Sequence, residues 1–219
     1  MADQLTLAFD TSAAHCAAAL LLGDTIVATR VEDMAKGQAE RLMPLLEEVL
    51  TEAGKNWSDL DRIGVGIGPG NFTGIRVSVS AARGLAVSLG VPAIGVSALE
   101  AMADAPSITG KTLAVIDARQ NKAYSQLFDI GGIALAPPTL SLLQDVSQSP
   151  DGGLTVVGHD SANLALRLGC HHVETTARAA IEATARIAST RMLDGSRPAP
   201  LYLRPADAAP PRDPAPVIL

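Results

Sequence analysis

The stretch GIGPGNFTGIRVSVSAARG, residues 66 to 84, leaves the backbone few choices. Three glycines and a proline fall between Gly66 and Gly70, at the end of the apolar run RIGVGIG at 62–68. The period then changes: Ile75, Val79, Ala82, Ala86 and Leu89 recur at helical spacing and stop at Gly90. A strand that turns sharply into a helix is the basic joint of an α/β fold. Such joints also hold phosphate, because bare backbone N–H groups and the helix dipole converge on them.

Two familiar phosphate spacings fail here. A lysine loop needs Gly, four residues, then Gly-Lys-Ser/Thr. Five positions on from Gly64, Gly66, Gly68 and Gly70 stand Pro69, Asn71, Thr73 and Ile75, with no lysine nearby. The dinucleotide pattern G-x-G-x-x-G also fails, since Asn71 and Thr73 hold its third-glycine positions. The plainer reading is a tight turn, with Asn71 or Thr73 capping the helix. Gly68, Gly70 and Thr73 remain candidate nucleotide contacts beside it.

The same strand-and-turn pattern runs along the rest of the chain. LTLAFDTS (5–12), CAAALLLG (16–23) and TIVATRVE (25–32) read as three consecutive strands in a meander. From Gln38, Leu42, Leu46, Val49 and Ala53 mark a helix whose apolar face is widened by Met43, Leu45 and Leu50. Glu47, Glu48 and Glu52 lie mostly opposite, Gly54 stops it, and Pro44 falls near its first turn or at a kink. In the later helix, Gly74, Ser78, Ala81 and Ser88 form a small-residue stripe, which predicts packing on two sides. PAIGVSALEAMA reads as a short strand and helix, LTVVGHDS (154–161) as a strand and turn, and ARAAIEATARIASTRML (177–193) as a helix.

TLAVIDARQNKAYSQLFDIGG (112–132) can be laid on LTLAFDTSAAHCAAALLLGD (5–24) with Asp117 on Asp10. Both are apolar runs that end in Asp and return after a polar loop. Identity is slight, but the recurrence predicts two related lobes: residues 1–103, a smaller second lobe at 104–206, and a proline-rich, disordered tail at 207–219.

At 219 residues, 47% hydrophobic and 18% charged, the chain has the composition of a folded globular protein. Only 3% is aromatic, so aliphatic residues build the core. A net charge of −6 argues against a direct phosphate-binding surface for nucleic acid. The N-terminus lacks the basic segment of a signal peptide, and no apolar run approaches the roughly 20 residues of a membrane helix. Cys16 and Cys170 lie far apart and read as reduced thiols, so a cytoplasmic location is expected.

Candidate chemistry is sparse. Asp10, with Thr11 and Ser12, could hold a hydrated magnesium ion and meet a phosphate, or could simply form a turn. Asp117-Ala118-Arg119 repeats the position without hydroxyls, which weakens a symmetric phosphate clamp. His15 and Cys16 are strand neighbours that point to opposite faces, and Cys170-His171-His172 and His159 have no metal-ligand spacing. No catalytic residue and no metal site is predicted.

Four segments nonetheless carry a family resemblance: LAFDTS, GIGPGNFTGIRVSVSAARGLA, VIDARQNKAYSQLF and APLYLR, in order over about residues 5 to 204. Together they resemble the TsaB (YeaZ) family of bacterial tRNA threonylcarbamoyladenosine synthesis. The resemblance implies an α/β fold of duplicated actin/Hsp70-like (ASKHA) lobes, with mixed sheets flanked by helices. It implies a non-catalytic subunit that stabilises TsaD, which transfers threonylcarbamoyl from its adenylate to N6 of the adenosine beside the anticodon. The ATPase TsaE is the further partner, tRNA is met only through the complex, and the isolated chain pairs with itself. No cofactor is intrinsic: ATP and metal belong to the partner subunits, and a nucleotide could sit at the subunit boundary, with Asp10 and Ser12 joining the contacts already named.

TsaD carries an H-x-x-x-H metal pair on the helix equivalent to 39–53, where this chain reads AERLMPLLEEVLTEAG without a histidine. Family partner contacts map to helices 39–53 and 73–89, hence to Leu42, Met43, Leu46, Val49, Leu50, Ile75, Ser78, Val79 and Ala82. Gln38-Ala39-Glu40 departs from the His-Ser-Glu-like start of many relatives. Two other functions compete: an ATP-using enzyme of the ASKHA kinase type, and a glycoprotease-like peptidase, against which the missing histidine pair argues.

Overall fold

The computed structural model describes residues 3–104, 108, 110–147 and 153–204. β1 (Leu5–Asp10), β2 (His15–Leu22) and β3 (Thr25–Asp33) form the expected antiparallel meander. β4 (Arg62–Gly66) then runs parallel to β1, and β5 (Ala93–Val96) parallel to β4, giving a sheet of order β3-β2-β1-β4-β5.

The second sheet repeats this plan. β6 (Thr112–Asp117) pairs antiparallel with β7 (Lys122–Asp129), whose outer edge carries the short β8 (Ile133–Ala134) and β9 (Thr139–Leu142). β10 (Thr155–Gly158) runs parallel to β6, and β11 (His171–Val173) parallel to β10. Laying β6 on β1 therefore lays β7 on β2, β10 on β4 and β11 on β5, each with the same sense. The faint repeat in the sequence marks a duplicated topology, and Asp10 and Asp117 end equivalent strands.

Helices fill both faces of the first sheet. α1 (Gln38–Glu52) and α2 (Phe72–Leu89) cover one face, where Leu7, Phe9, Leu20 and Ile63 meet Leu42, Leu46 and Val49. Pro44 lies inside α1, beyond the first turn and on its exposed side, where water can take up the carbonyl that loses its amide partner. The opposite face is small-sided, with Ala8, Ala17, Ala19 and Leu21, and α5 (Ala177–Thr190) lies on it through Ile181 and Ala185. α3 (Ala98–Ala103) does the reverse, packing Leu99 and Ala103 against Ala114, Phe128 and Val157 of the second lobe. Each half thus lends its closing helix to the other sheet, so a division at 103/104 separates strands but not helices. α4 (Ser161–Leu168), β8, β9 and β11 had no counterpart in the sequence reading. The tail at 207–219 lies outside the described residues. Among the described residues, no helix is long and apolar enough to cross a membrane.

One set of expectations needs correction here. Leu42, Leu46, Val49, Leu50, Ile75, Ser78, Val79 and Ala82, mapped to a partner-facing seam, are buried inside the chain. An apolar stripe of helical period marks the face a helix hides, and here the sheet and the neighbouring helix hide it. Of that set only Met43, 38% exposed, faces outward.

Candidate functional site

The β1 and β4 ends lie side by side, with Phe9 in register with Val65, which brings Asp10 next to Gly66. A Cβ on Gly66 would collide with the Asp10 carboxylate, one on Gly70 with the Ser12 carbonyl, and one on Gly74 with the Thr11 carbonyl. The glycines are there so that two turns can interlock. Asn71 N–H donates to the Ser12 carbonyl at 2.6 Å, and Thr11 Oγ1 donates to the Gly74 carbonyl at 2.6 Å. Asn71 Oδ1 accepts from Thr73 N at 3.0 Å and Gly74 N at 3.3 Å, capping α2. Three amides at this joint, those of Asn71, Thr73 and Gly74, are therefore already engaged.

Asp10 is equally committed. Its Oδ1 accepts from Ser12 N at 2.9 Å, and its Oδ2 accepts from Ser12 Oγ at 2.9 Å and lies 3.2 Å from His15 Nε2. Both oxygens thus brace the turn, and Oδ1, with one donor, retains a lone pair for a further one. Among the described residues no three His, Cys, Asp or Glu side chains gather to hold a metal. Cys16, which points into the core opposite His15, is neutral: burial first, then the Glu32 charge, push its thiol up to about 11.

Asp10, Ser12 and Gly70 line a cleft of about 960 Å³ between the lobes. Gly68 and Thr73 do not. Gly68, at φ 90°, is buried beneath Ile75, and Thr73 is exposed at the start of α2. The other wall comes from the repeat: Asp117, Arg119, Tyr124 and His159. Asp117 Oδ1 accepts from Arg119 N at 2.8 Å. Arg119, Gln120 and Asn121 follow one another at φ 62°, 55° and 58°, a left-handed turn without glycine that costs about 1 kcal/mol or more per residue. At the mouth, the Phe72 and Tyr202 ring centroids are 4.8 Å apart, the Arg76 guanidinium sits 3.8 Å above Phe72, and Arg76 Nε donates to Tyr202 OH at 3.0 Å.

The sequence reading assigned no role to His15, Arg119 or Tyr202. Strand alternation opposite the buried Cys16 was the available signal for His15, and the aligned Asp10 and Asp117 were the signal for Arg119. Tyr202 had none, because it reaches Phe72 from 130 positions further along the chain.

Outside the cleft, α1 and α2 present a joint face. Met43 and Val87 (77% exposed) stand on it, beside the exposed Glu40, Glu47, Ser80 and Gly84. α1 is tied to β3 by Arg41, which donates to both oxygens of Glu32 and both of Glu48, while Arg30 pairs with Glu48 and Glu52. The Arg41 hydrogen bonds hold the Glu32 and Glu48 carboxyls below their ordinary range.

A model of the TsaD family, tRNA N6-adenosine threonylcarbamoyltransferase, matches residues 32–153, from the end of β3 into the second lobe. TsaB of Bacillus subtilis, a tRNA threonylcarbamoyladenosine biosynthesis protein, is 32% identical over 163 residues, covering 71% of each chain. The chain belongs to the TsaB family. An uncharacterized protein of Mycobacterium tuberculosis is 32% identical over 207 residues, covering 93% of each chain. The solved structure of YeaZ from Pseudomonas aeruginosa superimposes with a TM-score of 0.75 at 26% identity, over 91% of this chain and 100% of that one. The TsaB relationship therefore spans both lobes, and the fold class is the duplicated actin/Hsp70-like one that the repeated sheet order displays.

Proposed function

We propose that the chain is a non-catalytic subunit in the synthesis of tRNA N6-threonylcarbamoyladenosine, binding and stabilising a TsaD-type subunit that performs the transfer. The observation that carries this reading is kinship with Bacillus subtilis TsaB, whose name states that pathway. The engaged Asp10-Thr11-Ser12 corner supports it, because its polar groups serve the fold and leave no evident catalytic set. ATP and metal chemistry then belong to the TsaD-type subunit and a TsaE-type ATPase, and tRNA reaches the chain only through the complex.

The partner surface follows from what is exposed rather than from the buried seam. Along α1 it runs through Glu40, Met43 and Glu47, and along α2 through Ser80, Gly84 and Val87. A Cβ on Gly84 would meet nothing within 4 Å, so the chain's own packing gives no reason for a glycine in mid-helix. Close approach of a partner helix does. In the absence of TsaD the same face pairs two copies of the chain.

Size-exclusion chromatography of the chain mixed with TsaD tests this. Co-elution is expected for the wild type and is lost in Met43→Glu and Gly84→Arg, neither of which lowers the melting temperature. Co-elution that survives both substitutions contradicts the assigned face. ATP turnover by the chain alone, abolished in Asp10→Ala, would replace the non-catalytic reading with the kinase-like one.

A further inference from the structure

We propose that the open edge of β5 is a docking strip, on which an extended, acidic segment of the protein covering the α1–α2 face pairs as a further strand. The proposal rests on that face being the partner surface and adds what the partner must bring to it. β5 is the last strand of the first sheet. Ile63 N donates to the Pro92 carbonyl at 3.0 Å, and Ile67 N donates to the Val96 carbonyl at 3.0 Å. Alternation along a parallel strand then turns the polar backbone of Pro92, Ile94 and Val96 toward β4, and that of Ala93 and Gly95 outward. The Gly95 carbonyl accepts from Arg191 Nη1 at 2.6 Å. The Ala93 amide and carbonyl and the Gly95 amide have no hydrogen-bond partner among the described residues.

Sheet edges are commonly blunted by charge, and this one is not. The opposite edge strand, β3, carries Arg30, Glu32 and Asp33, whereas β5 reads AIGV. Beside β5 runs a groove of about 640 Å³, lined by Val91 to Gly95 in succession and walled by α2 and by residues 191–199. Val87, Met192 (90% exposed) and Leu193 (55% exposed) stand along it. Exposed apolar side chains around unpaired strand backbone are the features that take up an extended peptide. The groove is also cationic, in a chain of net charge −6: Arg83, Arg191 and Arg197 line it against Asp194 alone. Arg191 is engaged by Glu100 and the Gly95 carbonyl. Arg83 is held by its Nε, which donates to the Pro198 carbonyl at 2.7 Å, and this leaves both terminal nitrogens for an incoming carboxylate. Val87 belongs to the groove and to the α1–α2 face alike, so one partner covers both in a single footprint.

Hydrogen exchange at single amides of the full chain, alone and mixed with TsaD, tests the proposal. In the free chain the Ala93 and Gly95 amides are expected to exchange at least about tenfold faster than those of Ile94 and Val96, which β4 protects. In the complex they are expected to slow by about tenfold or more. The sign of the partner's charge is read at Met192, whose exposure spares the fold in either variant. Met192→Glu is expected to bind TsaD about tenfold more weakly than Met192→Lys. TsaD binding that leaves the Ala93 and Gly95 amides at their free rates, or that treats the two Met192 variants alike, overturns the proposal and leaves the α1–α2 face in place. Failure of the wild type to bind TsaD removes the face and the strip together. Protection of the two amides in the chain alone also overturns it. Protection that grows with concentration assigns the edge to a second copy, and protection lost on removing residues 205–219 assigns it to that segment.

Discussion

Gly74 and Gly84 sit in the same helix and have opposite reasons to be glycine. At Gly74 an added methyl would meet the Thr11 carbonyl, a backbone atom that cannot swing away. Gly74→Ala is therefore expected to destabilise the chain by about 2 kcal/mol, the scale of overpacking in a core. At Gly84 the same methyl enters open space, and Gly84→Ala should stabilise the free chain by roughly 0.5–1 kcal/mol, the helix-interior cost of glycine. Urea denaturation of the two variants checks both signs, and equal effects would contradict the clamp at Thr11. The sequence placed Gly74 in the small-residue stripe but gave Gly84 no place. Periodicity shows which residues share a face, whereas the need for a missing Cβ depends on atoms distant in the chain. Asp10 shows the same limit: its position at a strand end was legible, its contacts with Ser12 and His15 were not.

At the scale of elements, helix boundaries were largely legible and helix surroundings were not. The seam of α1 was identified correctly as apolar, yet a stripe of that width is produced equally by a sheet, a helix or a partner beneath it. The sheet lies there, so Leu46→Glu would bury a charge in the core and unfold the chain rather than sever an interface. The polar side carried more structure than a solvated face, because Arg41 bridges Glu32 on β3 and Glu48 on α1. Arg41 holds both carboxyls below their ordinary range, so their contribution to stability is fully present above that range and is lost as pH falls through their lowered values. Arg41→Met is accordingly expected to lower the melting temperature at pH 7, with the gap to wild type closing in the acid range below the ordinary glutamate titration. A gap that persists unchanged at pH 3 would show that the network stabilises through packing of the arginine stem instead. The short α4, β8, β9 and β11 escaped the sequence reading because each is too brief to establish a period.

At the scale of the molecule, a weak internal repeat proved to be a complete duplicated topology, because strand order and sense survive when identity does not. What the repeat could not show was the exchange of closing helices. α5 covers the first sheet through Ile181 and Ala185, and α3 covers the second, so the lobes are joined through their cores. That arrangement gives a firm platform for the α1–α2 face and a cleft bounded by both Asp-ended strands. The central claim is that this platform serves a TsaD-type catalytic subunit and performs no transfer itself. The most direct measurement is threonylcarbamoyladenosine formation on tRNA, by nucleoside analysis, in a reconstituted mixture of TsaD and TsaE with threonylcarbamoyl-adenylate supplied. Modification is expected only when this chain is added, and none from the chain alone. Modification by the chain alone, or an unchanged yield when it is left out, would contradict the account.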